Sequence, residues 1–301
     1  MGTAPPPSQD SAFSRGGPEA EPEILRPAPG YIPTPQRVAR RPRSLWASAP
    51  ATYVLVGINC AVFLAMLFRR VSAVSPTAEQ LMHWGANNAG SVLVDDQWWR
   101  IITAMFVHVG ILHLATNMWC LWNLGLLAEP LMGSFGVVAA YVLTGAAGNL
   151  LSVLWNGRDL SAVLQQVPAT ADAAMYFSPG VGASGAVFGI AGALIVLLKS
   201  PRLPVPPQEL RRLRKSVIYF AAINLVIGLG ISLPQLSSRT GISIDNSAHL
   251  GGVLCGLLFA TPMVPRIGNP RPLFQKRLQI ATLMIVGLLV LFGFFVTRAT
   301  G

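Results

Sequence analysis

Residues 182–198 read GASGAVFGIAGALIVLL, an apolar run whose single hydroxyl group, on Ser184, lies near its beginning. A second run, residues 247–264, reads SAHLGGVLCGLLFATPMV and carries His249 near its beginning. Polar and ionisable groups inside membrane spans are energetically unfavourable and usually mark function. A serine and a histidine at the same depth are sufficient for a base-activated nucleophile. The two runs therefore predict membrane helices that carry a hydrolytic site.

The composition of the whole chain also indicates a membrane protein. Of its 301 residues, 52% are hydrophobic and 11% are charged, and the mean hydropathy is +0.52. Soluble domains carry about 25% charged residues, so this chain has few with which to cover a soluble surface. We therefore expect an all-α, polytopic membrane protein with seven apolar runs of a length that fits membrane helices: residues 51–68, 110–129, 135–155, 182–198, 216–233, 247–264 and 278–297.

Basic residues gather between these runs and set the expected topology. The net charge of +10 could indicate nucleic-acid binding, but basic residues beside spans fit topology determinants better. Three basic segments share one side if every run crosses once, whereas Arg69 and Arg70 lie on the other side. We expect a multi-pass protein of the bacterial inner membrane. By the positive-inside rule, its N-terminus is cytoplasmic, its C-terminus is outside and the three basic segments lie inside: residues 37–43, 199–215 and 266–277.

Residues 1–48 have the composition of a disordered cytoplasmic tail, because they are rich in proline and carry scattered charges. They lack the apolar stretch of a secretory signal peptide, and their acidic residues argue against a transit peptide. The three cysteines, Cys60, Cys120 and Cys255, each lie inside an apolar run and are expected to pack in the core. Their spacing indicates neither a disulfide framework nor a metal site.

The depths of the polar residues in the membrane agree with one another. Runs two, four and six would all cross from outside to inside, and a helix rises 1.5 Å per residue. Ser184 precedes Lys199 by 15 residues, which places it about 22 Å above the cytoplasmic boundary. The same arithmetic gives about 25 Å for His249 and about 24 Å for Asn117. Three separate helices thus bring polar groups to one layer of a hydrocarbon core about 30 Å thick.

Two further polar residues can assist a serine nucleophile. His113 and Asn117 are four residues apart and share one helix face. Their ring N–H and amide NH₂ are donors of the kind that an oxyanion hole requires. The alternative is an interhelical polar contact without a chemical role. Asp245, four residues before His249, could complete a triad but is expected to lie in the outer loop.

Small residues form stripes beside the serine and the histidine. His249, Gly252 and Gly256 recur at i, i+3 and i+7, and Gly185 begins a comparable stripe on the serine helix. Such faces allow close backbone approach between membrane helices, although ordinary packing without chemistry gives the same pattern. Ahead of the second run, Trp99 and Arg100 suit a structural anchor in the headgroup layer.

These residues together resemble the rhomboid intramembrane serine proteases, over residues 51 to 298. The resemblance implies a six-helix catalytic core in residues 49–265, and a loop and seventh transmembrane helix in residues 266–301. It further implies that Ser184 is the nucleophile and His249 the general base, without a third acidic member. His113, Asn117 and the backbone N–H of Ser184 would hold the oxyanion. The resemblance rests on the motifs Trp99-Arg100, His113-x-x-x-Asn117, Glu129, Gly182-x-Ser184-Gly185 and Ala248-His249-x-x-Gly252.

The resulting hypothesis is a serine endopeptidase that cleaves transmembrane segments near the outer face and forms an acyl-enzyme. It requires no metal or cofactor, and its partners are transmembrane substrates and the lipid bilayer. A catalytically inactive rhomboid-like protein that binds clients is the alternative, although such a protein would normally lack the serine or the histidine. A transporter would carry charged residues along a path across the membrane, and the runs hold almost none below the outer layer.

Overall fold

The structure is a computed structural model, and it describes residues 2, 49–166, 172–200, 203, 205–231, 244–266 and 270–300. The predicted tail, residues 1–48, lies outside these ranges except for Gly2. The helices, in chain order, are α1 (Pro50–Phe68), α2 (Ala78–His83), α3 (Ala89–Leu93), α4 (Arg100–Thr103), α5 (Ile111–Asn156), α6 (Leu160–Gln166), α7 (Ser184–Leu197), α8 (Pro207–Ile231), α9 (Asn246–Ala260) and α10 (Arg271–Thr300). The prediction of an all-α fold is confirmed, since the described residues form no β-strand beyond an isolated bridge between Asn87 and Gly180.

Four helical stretches in the described residues are long and apolar enough to cross a membrane: Pro50–Phe68, Ile111–Gln166, Asn246–Val264 and Arg271–Thr300. The protein is thus an integral, multi-pass membrane protein, as predicted. Two predicted runs differ in length from the helices that hold them. Helix α7 has 14 residues, or about 21 Å, and α8 begins at Pro207, nine residues before the predicted run at 216.

Helix α5 contains the predicted second and third runs in one stretch of 46 residues. An unbroken helix of that length would measure about 70 Å. Gly133, with φ 75° and ψ 169°, interrupts it. Both halves nevertheless reach the region where α7 begins: a β-carbon at Gly182, two residues before α7, would lie 2.7 Å from Cε1 of His113, and one at Gly145 would lie 3.3 Å from Cβ of Ala186 in α7. The chain therefore turns back at Gly133, and the two halves are separate crossings.

The carboxyl group of Glu129 joins the end of the first crossing of α5 to the beginning of α1. It accepts hydrogen bonds from the backbone N–H groups of Ala51 and Thr52, both at 2.9 Å, and from the Thr52 hydroxyl at 2.7 Å. The hydroxyl of Ser134, just past the break, donates to it at 2.6 Å. The first N–H groups of a helix have no partner within the helix, so Glu129 satisfies two such groups of α1 while holding the turn of α5.

The connection between α1 and α5 is held together by Arg100. Its guanidinium donates to the carbonyl oxygens of Met82 at 2.8 Å and Ala86 at 3.0 Å, and to the side chain of Gln97 at 2.6 Å. The guanidinium carbon also lies 4.5 Å from the centre of the Trp99 ring. One buried cation thus joins the end of α2 to the residues just before α4.

Helix α7 lies at the centre of the bundle. All ten residues from Gly185 to Leu194 are buried, because α5 and α9 pack against it over most of its length. A helix that is apolar all round belongs in such a position. The beginning of α7, which carries Ser184, is consequently surrounded by protein on several sides.

Candidate active site

The structure brings Ser184 and His249 into hydrogen-bond contact. Ser184 is the first residue of α7, and His249 lies in the first turn of α9. The distance from Oγ of Ser184 to Nε2 of His249 is 2.8 Å. When the hydroxyl donates this bond, Nε2 is the accepting nitrogen and Nδ1 carries the proton of the neutral ring. A neutral imidazole that accepts from a serine hydroxyl is the arrangement that general-base activation requires.

Phe188 holds the plane of this imidazole. The two rings are stacked, with centroids 4.2 Å apart and planes 13° from parallel. Within the described residues, Nδ1 of His249 has no hydrogen-bond partner, so the ring is restrained by this stacking and by the hydrogen bond between Nε2 and Ser184. The sequence analysis did not single out Phe188, although it lies one helical turn after Ser184 and therefore on the same face.

Glycines allow α7 and α9 to touch backbone to backbone below this pair. A β-carbon at Gly252 would lie 2.0 Å from the carbonyl oxygen of Gly185, and one at Gly256 would lie 1.9 Å from that of Gly189. Van der Waals contact with a β-carbon needs at least about 3.4 Å, so no larger residue fits at Gly252 or Gly256. These are the stripes that the sequence predicts, and they bring the two helices together.

His113 and Asn117 lie beside the residues that precede Ser184. A β-carbon at Gly182 would be 3.0 Å from Nε2 of His113 and 3.8 Å from Nδ2 of Asn117. Gly182 has φ +117°, a backbone conformation that favours glycine. The amide of Asn117 donates one hydrogen to the carbonyl oxygen of His113 at 2.9 Å. The predicted donor pair and the predicted nucleophile thus belong to one cluster.

His108 supports the segment that leads into α7. The sequence did not predict this role. The backbone N–H of Ala183 donates to Nε2 of His108 at 3.4 Å. Nδ1 lies 3.3 Å from the carbonyl oxygen of Phe106 and must carry the proton. Burial and, to a smaller extent, the neighbouring His113 lower the pKa of His108 to about 3, while the hydrogen bond to Phe106 opposes this shift, so the ring is neutral at physiological pH. Because Ala183 uses its N–H in this bond, that group is not available to a substrate.

The side chains of the remaining predicted residues form no hydrogen bond with the side chains of Ser184 and His249 within the part of the chain that the structure describes. Arg100 and Trp99 hold the loop before α5, and Glu129 caps α1. Asp245, the possible third triad member, accepts a hydrogen bond from the backbone N–H of Ala248 at 3.1 Å instead of reaching His249. The site geometry therefore consists of a serine–histidine pair, two donor side chains and a stacked phenylalanine.

Comparison with known proteins gives consistent matches. The family model described as the rhomboid domain matches residues 95–266. Rhomboid protease GluP of Bacillus subtilis is 29% identical over 235 residues, which cover 78% of this chain and 38% of that protein. Rhomboid protease AarA of Providencia stuartii is 30% identical over 236 residues, covering 78% of this chain and 76% of that protein. The mitochondrial RHOMBOID-like protein 6 of Arabidopsis thaliana is 32% identical, and the match covers 65% of this chain and 54% of that protein.

Proposed function

The chain belongs to the rhomboid family, and from this premise we propose that it is an intramembrane serine endopeptidase whose nucleophile is Ser184 and whose general base is His249. The observation that carries the proposal is the 2.8 Å contact between Oγ of Ser184 and Nε2 of His249. Family membership supports peptide-bond hydrolysis in a membrane, and the contact supports the roles of the two residues.

The reaction takes place in two halves. Ser184 attacks the carbonyl carbon of the scissile bond while Nε2 of His249 takes the hydroxyl proton. The imidazolium then gives that proton to the leaving nitrogen, and an acyl-enzyme remains on Oγ. His249 next takes a proton from water, the resulting hydroxide equivalent attacks the ester carbonyl, and the proton returns to Oγ as the acid product leaves.

Negative charge develops on the substrate carbonyl oxygen in both halves. Three groups near Ser184 can donate to that oxygen: the ring N–H of His113, the second amide hydrogen of Asn117, and the backbone N–H of Ser184. The last of these is one of the helix N–H groups that lack an intrahelical partner, and the α7 dipole adds positive potential there. Each such donor typically contributes about 10²–10³-fold to the rate.

The proposed roles need no acidic third residue. Stacking on Phe188 restrains the imidazole plane, and an aromatic face also attracts the positive ring that forms during reaction. The proposed substrate is a transmembrane segment that is locally unwound at the depth of Ser184, because a carbonyl inside a regular helix is already hydrogen-bonded. Glycine and proline weaken helices by about 1 and 3 kcal/mol relative to alanine, so a segment that contains them near its outer end is the preferred substrate.

The test uses the purified full chain in lipid vesicles with a single-span reporter protein that carries glycine near its outer end. We expect Ser184→Ala and His249→Ala to abolish cleavage, and a fluorophosphonate to label wild-type protein at Ser184 only. Asn117→Ala should retain cleavage at a rate about 10²–10³-fold lower, as for loss of one oxyanion donor. The matched control is Asn123→Ala, because Asn123 lies on the same helix and its exposed side chain donates only to the carbonyl oxygen of Trp119, one turn earlier, among the described residues.

Two outcomes would contradict the proposal. Cleavage that persists in Ser184→Ala would show that another group is the nucleophile. Binding of the reporter by wild-type protein without cleavage or labelling would instead indicate an inactive rhomboid-like protein that binds membrane clients.

A further inference from the structure

Asp245 immediately precedes α9, and the proposed reaction gives it no role. Its side chain nevertheless connects two helices. One carboxyl oxygen, Oδ1, accepts hydrogen bonds from the Ala248 backbone N–H at 3.1 Å and from the Ser247 hydroxyl. The other, Oδ2, accepts a hydrogen bond from the hydroxyl of Ser152 on α5, 93 residues away in sequence.

The bonds from Oδ1 make Asp245 the N-cap of α9. An N-cap side chain satisfies one of the N–H groups that have no partner within the helix. The backbone of Asp245 belongs to the same turn, because its carbonyl oxygen accepts from the N–H of His249 at 3.3 Å. The cap therefore fixes the residue from which the helix begins, and with it the turn that carries His249.

The bond from Ser152 fixes that turn relative to α5. Ser152 is buried and also accepts a hydrogen bond from the Asn156 amide at 3.2 Å, which holds the hydroxyl in place. One turn earlier on α5, a β-carbon at Gly148 would lie 2.5 Å from the carbonyl oxygen of Ala248. The beginning of α9 is thus held against α5 by backbone contact at Gly148 and by a side-chain bond at Ser152.

We propose that Asp245 is a positioning residue that fixes the height and rotation of α9, and thereby the place of His249 beside Ser184, through its cap on α9 and its bond to Ser152. This inference rests on the proposed function, since it explains what holds the base. Asp245 differs from the acid of a triad, because its carboxyl oxygens bind Ala248, Ser247 and Ser152 rather than Nδ1 of His249.

The two roles can be distinguished by experiment, because asparagine can replace aspartate as a positioning residue but not as the acid of a triad. The Oδ1 atom of asparagine is an effective N-cap acceptor, and its NH₂ group can donate to the Ser152 oxygen, since a hydroxyl also accepts. Asparagine has no charge with which to stabilise an imidazolium. We therefore expect Asp245→Asn to keep kcat within about threefold of wild type.

Removal of the side chain should have a much larger effect. A displacement of about 1 Å at a reacting group can lower a rate about 10²-fold, so kcat of Asp245→Ala should fall by one to two powers of ten with little change in KM. Ser152→Ala should lower kcat less, because the cap remains. The double variant should be no slower than Asp245→Ala, since Ser152 acts through Asp245.

The matched control is Asp172→Ala. Asp172 also caps a short helical turn, accepting from the N–H of Ala174 at 2.8 Å, but it lies in the loop between α6 and α7. Its replacement should leave kcat unchanged. The proposal would be overturned if kcat fell as much in Asp245→Asn as in Asp245→Ala, because that result would indicate an electrostatic role. It would also be overturned if Asp245→Ala kept the wild-type kcat, because the cap would then have no effect on the position of His249.

A second measurement keeps this test separate from the proposed function. Amide hydrogen exchange of residues 246–252 reports whether the first turns of α9 open, without any need for cleavage. Exchange should be faster in Asp245→Ala and near wild type in Asp245→Asn. If wild-type protein neither cleaves the reporter nor reacts with the fluorophosphonate, the proposed function fails, but the exchange rates still decide whether Asp245 holds α9. Equal exchange rates in wild type, Asp245→Ala and Asp245→Asn would overturn the inference.

Discussion

Replacement of Gly252 by alanine adds one methyl group at the closest contact between α7 and α9. The new β-carbon would lie 2.0 Å from the carbonyl oxygen of Gly185, and real β-carbons essentially never approach within 3.0 Å of such an atom. The two helices must therefore separate by about 1 Å. The neighbouring atom belongs to the backbone of a buried helix, so no flexible side chain can move aside.

The same separation acts on the serine–histidine pair, because Ser184 directly precedes Gly185 and His249 lies about one turn before Gly252. A hydrogen bond of 2.8 Å that lengthens by about 1 Å is no longer a hydrogen bond. We expect kcat of Gly252→Ala to fall about 10²-fold. Overpacking of a well-packed core destabilises a protein by about 1–3 kcal/mol, so the thermal unfolding midpoint should fall as well.

The assay measures fluorophosphonate labelling rate, reporter cleavage and unfolding midpoint for the variant in the same vesicles. Gly287→Ala is the control, because Gly287 lies on α10 with no atom within 4 Å of its would-be β-carbon. That variant should keep the wild-type rate and can gain stability, since alanine favours a helix over glycine. A wild-type labelling rate and midpoint in Gly252→Ala would refute the reasoning that this backbone contact sets the distance from serine to histidine.

Two further predictions concern the support of the site and the orientation of the chain. Burial lowers the pKa of His108 to about 3, below the value of about 6.5 in an unfolded chain. Unfolding therefore takes up a proton between these two pH values, and the free energy of unfolding should fall as the pH drops below about 6.5. Calorimetry should show a smaller fall with pH in His108→Gln, and an unchanged pH dependence would contradict the neutral, buried state of His108. An epitope after Gly301 should react with a membrane-impermeant reagent in intact cells and one at the N-terminus only after lysis, whereas equal reactivity of both would contradict the topology that the loop charges predict.

The sequence predicts one common level for the site residues because a helix has a fixed rise per residue. Counting from the expected cytoplasmic ends of the runs predicts that Ser184, His249 and Asn117 lie in one layer, without knowledge of how the helices pack. The count says nothing about lateral distance. That distance depends on which faces meet, and two helices that both carry small-residue stripes can meet in several ways. The contact of Gly252 with Gly185 selects one of them.

The hydrogen bonds that support the site could not be predicted for a related reason. Ser152 and Asp245 are 93 residues apart, and His108 and Ala183 are 75 residues apart. Neither pair has a spacing or residue type that distinguishes it from solvent-exposed polar residues, because each bond joins two segments that are distant in sequence and meet only in the folded chain. Phe188 is different: its position four residues after Ser184 is a local property of α7, so the sequence carried the information.

The two kinds of contact around the pair constrain different motions of His249. Backbone contact between α7 and α9 at Gly252 fixes the distance between the two helices. Helix faces that carry only glycine have no side chains to interlock, so α9 could still shift along its axis or rotate about it. The cap at Asp245 and its bond to Ser152 oppose that sliding, because they tie the beginning of α9 to a third helix. Stacking on Phe188 then fixes the ring plane within the helix position so defined. In the proposed reaction, His249 has no hydrogen-bonded acid behind it, so these three restraints together would keep Nε2 turned towards Ser184.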